Sequence, residues 1–545
     1  MAPIILKNYH SHLLEKADKA RSKKDYATCA RLCEAVLKKT PNELGALEIW
    51  ALCALECGKF DEAAKLGAKL ADKLPSNPNG AMISSVALMN TSQDLAAAHI
   101  LEKQLKHTPQ EIGLLFNLHS AYASLGENTK ALEMAMSAVA LAPTNADAFN
   151  NLGASFHSVN RRKDAALAFQ TALDLNPDHA TARLNLVNTG DLDDETLISE
   201  TEYVLKNSKT RIQERILVGA IHNSAFSYFR TGKLKQAWEA LEKGFNPLID
   251  SNRGRRPQRT FSKPRWNGEP LQGKRLMVWR EQGLGDEIMF ASMLPELLTL
   301  DAKVVLECEP RLVNLFQQSF PKFEVRPEAY HQVFPFLNVH DDFDLQIPIG
   351  SLGGIYRNSV EDFNRSGPYL KVDATMQQKY QARLAAQAGD KIKVGLCWRS
   401  GVVSPTRGAS YTMLQDWSEL FKSPDVCLVN LQYGQCEDEL LVIEKEFGIE
   451  ILRWEDTNLQ NNLDALAALI SQLDVVCSVG TAVAQMSGAV GIPTLLCANV
   501  YGWTSFGTKS YPFFPDIHLL IDEMNGDMQV AAAQATTVVL QLKKT

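Results

Sequence analysis

The sequence predicts a two-part chain, in which an all-α solenoid of helical repeats precedes an α/β region of two Rossmann-like halves that face each other across a cleft. Three observations predict it: a 34-residue repeat in the N-terminal half, a later change to alternating strands and helices, and glycine-rich turns after two of the strands. The predicted boundaries are 1–250 for the array, 251–270 for a basic linker, and 271–372 and 373–545 for the two α/β halves.

The repeat is visible in matching strings and in the spacing of prolines. Residues 117–122 recur 34 positions later as 151–156, and Pro109, Pro143 and Pro177 keep the same interval. With Gly or Ala at the helix crossing, Tyr or Phe one turn later and proline at the exit, this pattern resembles the tetratricopeptide repeat. Stacked repeats form an extended groove that commonly binds a peptide or protein. The alternative is that the array only supports or dimerises the rest of the chain.

Composition excludes several classes of protein. Hydrophobic residues make up 45% and charged residues 22% of the 545 residues, which is typical of globular proteins, and the net charge of −7 disfavours nucleic acid as the main partner. The ten cysteines form no C-x-x-C pair, so buried thiols in a reducing compartment are favoured over a zinc site. Neither a secretory signal nor a membrane span is predicted, and we expect a cytoplasmic protein.

The segment between the two predicted regions is rich in arginine, glycine and proline. Arg253, Arg255, Arg256 and Arg259 lie within eight positions of one another. This composition predicts a solvated connector with a basic surface. The sharper alternative is a segment that contacts an acidic peptide or a phosphate.

Strands alternate with helical patterns after the linker, which predicts parallel β-α-β units. Ligands of such sheets bind beyond the carboxyl ends of the strands. The predicted strands are Arg275–Arg280, Lys303–Glu307, Phe343–Ile347, Lys393–Trp398, Val426–Leu431, Ile449–Arg453, Asp474–Ser478 and Pro493–Cys497.

The clearest candidate site is the string 478–485, where a strand delivers small residues to the start of a helix. Unpaired N–H groups and the helix dipole attract phosphate at such a point, Gly480 allows close approach, and the Thr481 hydroxyl adds a donor. An ordinary β-α turn with Thr481 as N-cap is the alternative. Arg399 and Arg407 follow a neighbouring strand and could bind phosphate or carboxylate oxygens.

A carboxylate at the start of the first α/β helix is the candidate general base. Asp286 follows the turn 282–285 at the end of a predicted strand, and it either caps its helix or accepts a proton from a hydroxyl. Glu281 is the neighbouring alternative base. The Gly-x-Gly string is too short for a dinucleotide fingerprint, which disfavours hydride transfer, and no cluster has metal-ligand spacing, so we expect neither a catalytic metal nor another cofactor.

Three strings together, 281–288, 395–401 and 474–491, are similar to those of bacterial tetratricopeptide proteins that carry a GT-B glycosyltransferase domain related to the heptosyltransferases. The chain most resembles the flagellin glycosyltransferase type, and the resemblance covers essentially its whole length. It implies a GT-B fold for the C-terminal half.

The resemblance also implies roles for individual residues. Asp286 matches the proposed catalytic base, and Gln282, Gly283 and Gly285 match the loop near the acceptor. The residues that match positions contacting the donor are Arg399, Ser400, Gln432, Tyr433, Ser478, Gly480, Thr481 and Gln485. Many relatives have Asp before the threonine and His at the glutamine position. Gln485 cannot act as acid or base, so the changed loop indicates either a different donor or weaker catalysis.

The implied function is a metal-independent, inverting protein O-glycosyltransferase that moves a sugar from a nucleotide sugar to Ser or Thr of a protein held by the array. By resemblance the acceptor is flagellin, and a CMP-linked nonulosonic acid is a candidate donor. Two alternatives remain open: a GT-B scaffold with weak or no activity that binds proteins, and a transferase that acts on a saccharide or lipid.

Overall fold

The computed structural model has two compact units, which are Met1–Asp193 with Ser199–Ile216 and Asp194–Ile198 with Leu217–Thr545. The residues that the structure describes are 2–189, 192–207, 214–249, 254–329, 339–401 and 410–542.

The first unit is built from antiparallel helix pairs. In three successive pairs the first helix begins at Ile112, Ala146 and Ala180, so the structure confirms the period of 34 residues. The pairing extends upstream, where the sequence signal is weaker. The helices are α1 Ala2–Ser22, α2 Tyr26–Lys39, α3 Leu44–Glu56, α4 Phe60–Lys73, α5 Asn79–Asn90, α6 Asp94–Leu105, α7 Ile112–Ser124, α8 Asn128–Leu141, α9 Ala146–Ser158, α10 Arg162–Leu175 and α11 Ala180–Thr189, followed by α12 Asp194–Asn207, whose first five residues belong to the second unit.

Small residues permit the close helix crossings of the array. A Cβ atom at Gly153 of α9 would lie 2.6 Å from the ring of Phe169 in α10, which is too close for any side chain. The thiols in the first repeats also pack as small apolar groups: Cys29, Cys33 and Cys53 are buried and free, and burial raises their pKa values. The prediction of buried thiols is confirmed for these three, whereas Cys57 is partly exposed.

The last helical pair belongs to the unit that carries the sheets, so the boundary between units lies upstream of the predicted residue 250. This pair consists of α13 Glu214–Arg230 and α14 Leu234–Leu241. Trp238 of α14 is buried and donates an indole hydrogen bond to the Arg357 carbonyl (2.6 Å). Its ring also leaves no room for a Cβ atom at Gly353.

The first sheet has four parallel strands in the order β3-β2-β1-β4. The prediction missed β3, whose side chains are exposed or only half-buried and give no apolar run. The elements are β1 Arg275–Trp279, α15 Leu284–Ala291, β2 Lys303–Cys308, α16 Val313–Ser319, β3 Glu324–Pro327, β4 Leu345–Pro348 and α17 Leu352–Tyr356, with short 3₁₀ turns between some of them.

The second sheet has six parallel strands in the order β10-β9-β8-β5-β6-β7, and β10 was not predicted. Its elements are α18 Ala374–Ala388, β5 Ile392–Cys397, α19 Ser418–Phe421, β6 Val426–Asn430, α20 Glu437–Phe447, β7 Ile451–Leu452, α21 Leu463–Ile470, β8 Val475–Val479, α22 Ala482–Val490, β9 Thr494–Cys497, β10 Ile517–Leu520 and α23 Met528–Gln541. The structure thus shows a helical tetratricopeptide-like solenoid followed by an α/β region with two parallel sheets.

In each sheet the strand order reverses next to the first strand. The reversal lies between β1 and β4 in the first sheet and between β5 and β8 in the second. A crevice opens at the carboxyl ends of the strands at such a point, because the following helices leave on opposite faces. Both reversals therefore mark positions where ligands are expected.

The described part of the linker is not a solvated basic surface, and that prediction was wrong. Arg255 and Arg259 are each 1% exposed in their side chains. Arg255 pairs with Glu281 and Arg259 with Glu307, and both glutamates are completely buried. The arginines neutralise carboxylates inside the first α/β half, which sequence composition does not show. Arg253 lies outside the described residues.

We expect Gly153→Val to lower the free energy of unfolding by about 1–3 kcal/mol, because the added side chain overlaps the Phe169 ring and forces α9 and α10 apart. Urea unfolding followed by circular dichroism measures the loss. Gly367→Val is the matched control, since a Cβ atom at Gly367 meets no described atom within 4 Å. Equal stability of the two variants would show that α9 and α10 do not cross this closely.

Candidate functional site

A cavity of about 650 Å³ lies between the two α/β halves, and both halves contribute to its wall. The first half supplies the start of α15, and the second supplies the start of α22 and the loops after β5, β6 and β7. Of the predicted site residues, Gly285, Asp286, Ser400, Tyr433, Gly480, Thr481 and Gln485 line this cavity.

The starts of α15 and α22 meet at the cavity. A Cβ atom at Gly285 would lie 3.5 Å from the Cα atom of Ala482, in ordinary van der Waals contact, so the two helix starts are close neighbours. The first N–H groups of a helix have no partner within it, and they carry a partial positive charge. The two helix starts therefore give the cavity wall a positive character that suits an anionic ligand.

Asp286 lies at this wall and also caps its own helix. Its Oδ2 atom accepts a hydrogen bond from the Gly283 N–H group (3.1 Å). Burial, with a smaller contribution from the Glu281 charge, raises the pKa of Asp286 above its ordinary value, while the bond from Gly283 opposes the shift. A carboxylate with a raised pKa takes a proton more readily at neutral pH than an exposed one does.

The other two residues of this turn contribute to its shape. Gln282 has a φ of +61°, which is unusual for a residue other than glycine, and its N–H group bonds the Arg256 carbonyl. Gly283 precedes α15 and is exposed. Neither residue lines the cavity.

Glu281 has no free oxygen with which to act as a base. Both of its carboxylate oxygens bind the Arg255 guanidinium, and Oε1 also accepts the Gly350 N–H group (2.8 Å). Because Gly350 follows β4, this buried pair joins the linker to both strands at the reversal point of the first sheet. The alternative of Glu281 as general base is therefore wrong.

The loop after β8 exposes its backbone and buries its hydroxyls. The Ser478 hydroxyl bonds the Val479 carbonyl (2.8 Å) and the Thr481 hydroxyl (3.2 Å). The Thr481 side chain also contacts the Cys397 thiol at the end of β5, and it makes no capping bond to the first turn of α22. Gly480 is exposed, so its backbone is accessible from the cavity.

Arg399 and Gln432 are engaged in bonds within the second half. The Arg399 guanidinium bonds the Glu439 carboxylate and the Gln435 carbonyl, and it does not line the cavity. The Gln432 Oε1 atom accepts the N–H groups of Trp398 (3.2 Å) and Arg399 (3.0 Å). These two side chains fix the loop after β5, where the resemblance implies donor contacts. Arg407 and Gly408 lie outside the described residues.

The side-chain amide of Gln485 is hydrogen-bonded at its nitrogen, whereas its oxygen has no donor among the described residues. Its Nε2 atom donates to the Tyr511 hydroxyl (2.8 Å), which in turn contacts the Met289 sulfur (3.3 Å). Its Oε1 atom is buried in the wall with no hydrogen-bond donor in the described residues. A buried acceptor without a donor lowers the stability of the fold. A ligand N–H or O–H group could donate a hydrogen bond to this oxygen after a small side-chain rotation.

The sequence reasoning missed Arg311, which lines the cavity from the 3₁₀ turn Pro310–Leu312 after β2. It bonds the Glu309 carboxylate and the Gln460 carbonyl. The signal in the sequence was its position four residues after the predicted strand Lys303–Glu307, near the carboxyl end where ligand contacts arise in parallel sheets.

A buried acidic cluster lies behind the start of α15. Arg280, the residue after β1, contacts the carboxylates of Glu287 (3.0 Å), Glu309 (2.9 Å) and Glu328 (2.9 Å). Glu287 is buried, and this burial raises its pKa to about 8 against the attraction of Arg280. Glu287 is therefore mostly protonated at neutral pH, which limits the negative charge beneath the cavity.

Within the described ranges, no group of three or more His, Cys, Asp or Glu residues could hold a metal ion. None of the described helices is both long and apolar enough to cross a membrane. The side chains that line the cavity include a carboxylate, a guanidinium, hydroxyls and two glutamine amides, and with the backbone N–H groups they suit proton transfer and anion binding.

Comparison with known proteins gives one match over nearly the whole chain. Protein FlbA of Caulobacter vibrioides is 29% identical over 544 residues, which cover 96% of this chain and 89% of that protein. The family model of the ChAPs (Chs5p-Arf1p-binding proteins) matches residues 48–224, which is less than half of the chain.

Solved structures of TPR proteins match about a third of the chain. A thermophilic TPR protein of Thermus thermophilus is 23% identical, with a TM-score of 0.28, over 34% of this chain and 100% of that one. YrrB, described as a TPR protein with an unusual peptide-binding site, is 19% identical, with a TM-score of 0.28, over 31% of this chain and 88% of that one.

We expect the stability of the protein to fall as pH rises from 6 to 8, because folded Glu287 keeps a proton that the unfolded chain, with a pKa near 4.5, has already released. Because glutamine does not titrate, Glu287→Gln should reduce the loss of unfolding free energy between pH 6 and 8 by up to about 2–3 kcal/mol. Urea unfolding at several pH values measures it. The exposed Glu34→Gln is the control, and an unchanged pH slope in Glu287→Gln would contradict the protonated state of Glu287.

Proposed function

We propose that this chain transfers a sugar from a nucleotide sugar to a serine or threonine hydroxyl of a protein, without a metal ion. One observation carries the proposal. The cavity between the two α/β halves combines Asp286, a carboxylate with a raised pKa, with two helix starts that favour an anion. A general base beside an anion site is what displacement of a phosphate leaving group by a hydroxyl requires.

The reaction is a single displacement with inversion. The Asp286 carboxylate takes the proton of the acceptor hydroxyl as its oxygen bonds the anomeric carbon. The bond from that carbon to the donor phosphate breaks, and the nucleotide leaves with the electron pair. N–H groups at the starts of α15 and α22 stabilise the charge that develops on the phosphate. Release of the proton from Asp286 to solvent completes the cycle.

The helical solenoid supplies a surface for the protein acceptor. Stacked helix pairs leave an extended groove, which suits an extended polypeptide better than a small molecule. The resemblance to flagellin glycosyltransferases makes flagellin the first acceptor to test, and a CMP-linked nonulosonic acid is the first donor. A cytoplasmic location goes with this role, because nucleotide sugars and newly made flagellin meet there.

We expect Asp286→Asn to abolish transfer, with a loss of at least about 100-fold, because an amide cannot take the hydroxyl proton. Intact-mass analysis of flagellin, incubated with the protein and a panel of UDP-, CMP-, GDP- and ADP-linked sugars, measures the increment per polypeptide. The control is Asp373→Asn, which also changes a capping aspartate, here at the start of α18, and lies away from the cavity.

Retained transfer by Asp286→Asn would remove Asp286 from the mechanism. The variant should fold normally, because its Oδ1 atom can still accept the Gly283 N–H group and the cost of a buried charge is gone. A melting temperature at or above that of the original chain would show that the loss of transfer is chemical.

A second candidate function is a protein-binding scaffold whose cavity has little or no activity. The specific observation in its favour is that Arg399 and Gln432, two predicted donor contacts, are bonded within the second half. Calorimetry with the same panel of nucleotide sugars separates the two functions. Saturable binding of one donor supports the transferase, and binding of flagellin without binding of any donor supports the scaffold.

A further inference from the structure

Arg311 is the one Lys or Arg among the described residues that line the cavity. It lies on the 3₁₀ turn after β2, and its side chain is 33% exposed. A guanidinium binds phosphate or carboxylate oxygens through two parallel N–H bonds, and it keeps its charge at any pH of interest. Its position therefore gives the cavity a fixed positive charge in addition to the helix starts.

Two bonds hold the Arg311 side chain in place. Its Nε atom donates to Glu309 Oε1 (2.8 Å), and its Nη1 atom donates to the carbonyl of Gln460 (2.7 Å). Glu309 belongs to the first α/β half, whereas Gln460 lies between β7 and α21 in the second. Arg311 thus bridges the two halves at the cavity, and neither of these bonds uses its Nη2 atom.

The Glu309 carboxylate that holds Arg311 also binds the Arg280 guanidinium through its other oxygen (2.9 Å). Arg280 contacts Glu328 as well, so the ability of Arg311 to bind an anion comes from its place on the cavity wall and its Nη2 atom. Arg399 also bonds a carboxylate directly, that of Glu439, but it does not line the cavity.

We propose that Arg311 binds the anionic group of the ligand and holds the two halves at the spacing that binding requires. This inference rests on the proposed function for the identity of the ligand, a nucleotide sugar. The anion is either a phosphate or, in a nonulosonic acid, the sugar carboxylate. Its oxygens bond the Nη2 side of the guanidinium, while the bond to the Gln460 carbonyl keeps the second half in place.

The test is calorimetry on the full chain with UDP, CMP, free N-acetylneuraminic acid and uridine as probes. Arg311→Gln should weaken the binding of whichever anion binds by at least about 10-fold and leave uridine unaffected. Arg311→Lys should give an intermediate loss, since the charge remains and the planar fork is lost. A loss for UDP or CMP assigns the phosphate, and a loss confined to N-acetylneuraminic acid assigns the carboxylate.

Arg383→Gln is the matched control. Arg383 is 28% exposed and bonds a carboxylate, Asp456, with two nitrogens, but it lies away from the cavity. The Arg383→Gln variant should leave the affinities for all four probes unchanged. Unchanged anion affinity in Arg311→Gln, an equal loss in Arg383→Gln, or no anion binding by the original chain would overturn the inference.

Amide hydrogen exchange tests the coupling between binding and the position of the halves. At a saturating concentration of the anion that binds best, exchange of residues 458–463 should slow in the original chain and stay unchanged in Arg311→Gln. Equal protection in both would overturn the coupling. If anion binding depends on Arg311 but no sugar is transferred to any acceptor, the proposed function is refuted and this inference stands. If sugar is transferred and Arg311→Gln binds the anion as tightly as the original chain, this inference is refuted and the proposed function stands.

Discussion

The close approach of α15 and α22 is the constraint on which the candidate site depends. Two helices from different α/β halves meet at their N-terminal ends, where a Cβ atom at Gly285 would lie 3.5 Å from the Cα atom of Ala482, in ordinary van der Waals contact. This contact brings the ends of β1 and β8, which belong to separate sheets, to one cavity. The carboxylate of Asp286 from the first half lines this cavity together with Gly480 and Gln485 from the second.

Buried charge organises the support around this contact. Arg255 and Arg259 each bind a completely buried glutamate near the end of β1 or β2. A buried ion pair gains little free energy over a well-packed apolar pair, but loss of one partner leaves an uncompensated charge and costs about 3–5 kcal/mol. The first half therefore relies on matched pairs, and the raised pKa of Glu287 lets the surplus carboxylate remain neutral.

Much of the architecture was predictable because it depends on local pattern. The 34-residue period fixes the helix pairs, since each pair buries its apolar face only against the next, and continuous apolar runs identify the buried parallel strands. The strands β3 and β10 were missed because their side chains are partly exposed. Asp286 and Gly480 were found because glycine turns after strands reach the carboxyl edge of a sheet.

The partners of charged side chains were not predictable, since they come from distant parts of the chain. Arg399 was expected at the donor, but Glu439 lies in the first turn of α20 and takes its guanidinium. Arg311 was not predicted, and its position depends on a hydrogen bond to a backbone carbonyl of the other half, that of Gln460. The most direct test of the cavity as the nucleotide site is a crystal structure of the chain soaked with UDP or CMP. We expect a phosphate within hydrogen-bond distance of Arg311 or of the N–H groups at the start of α22. A nucleotide bound elsewhere, with the cavity empty, would contradict it.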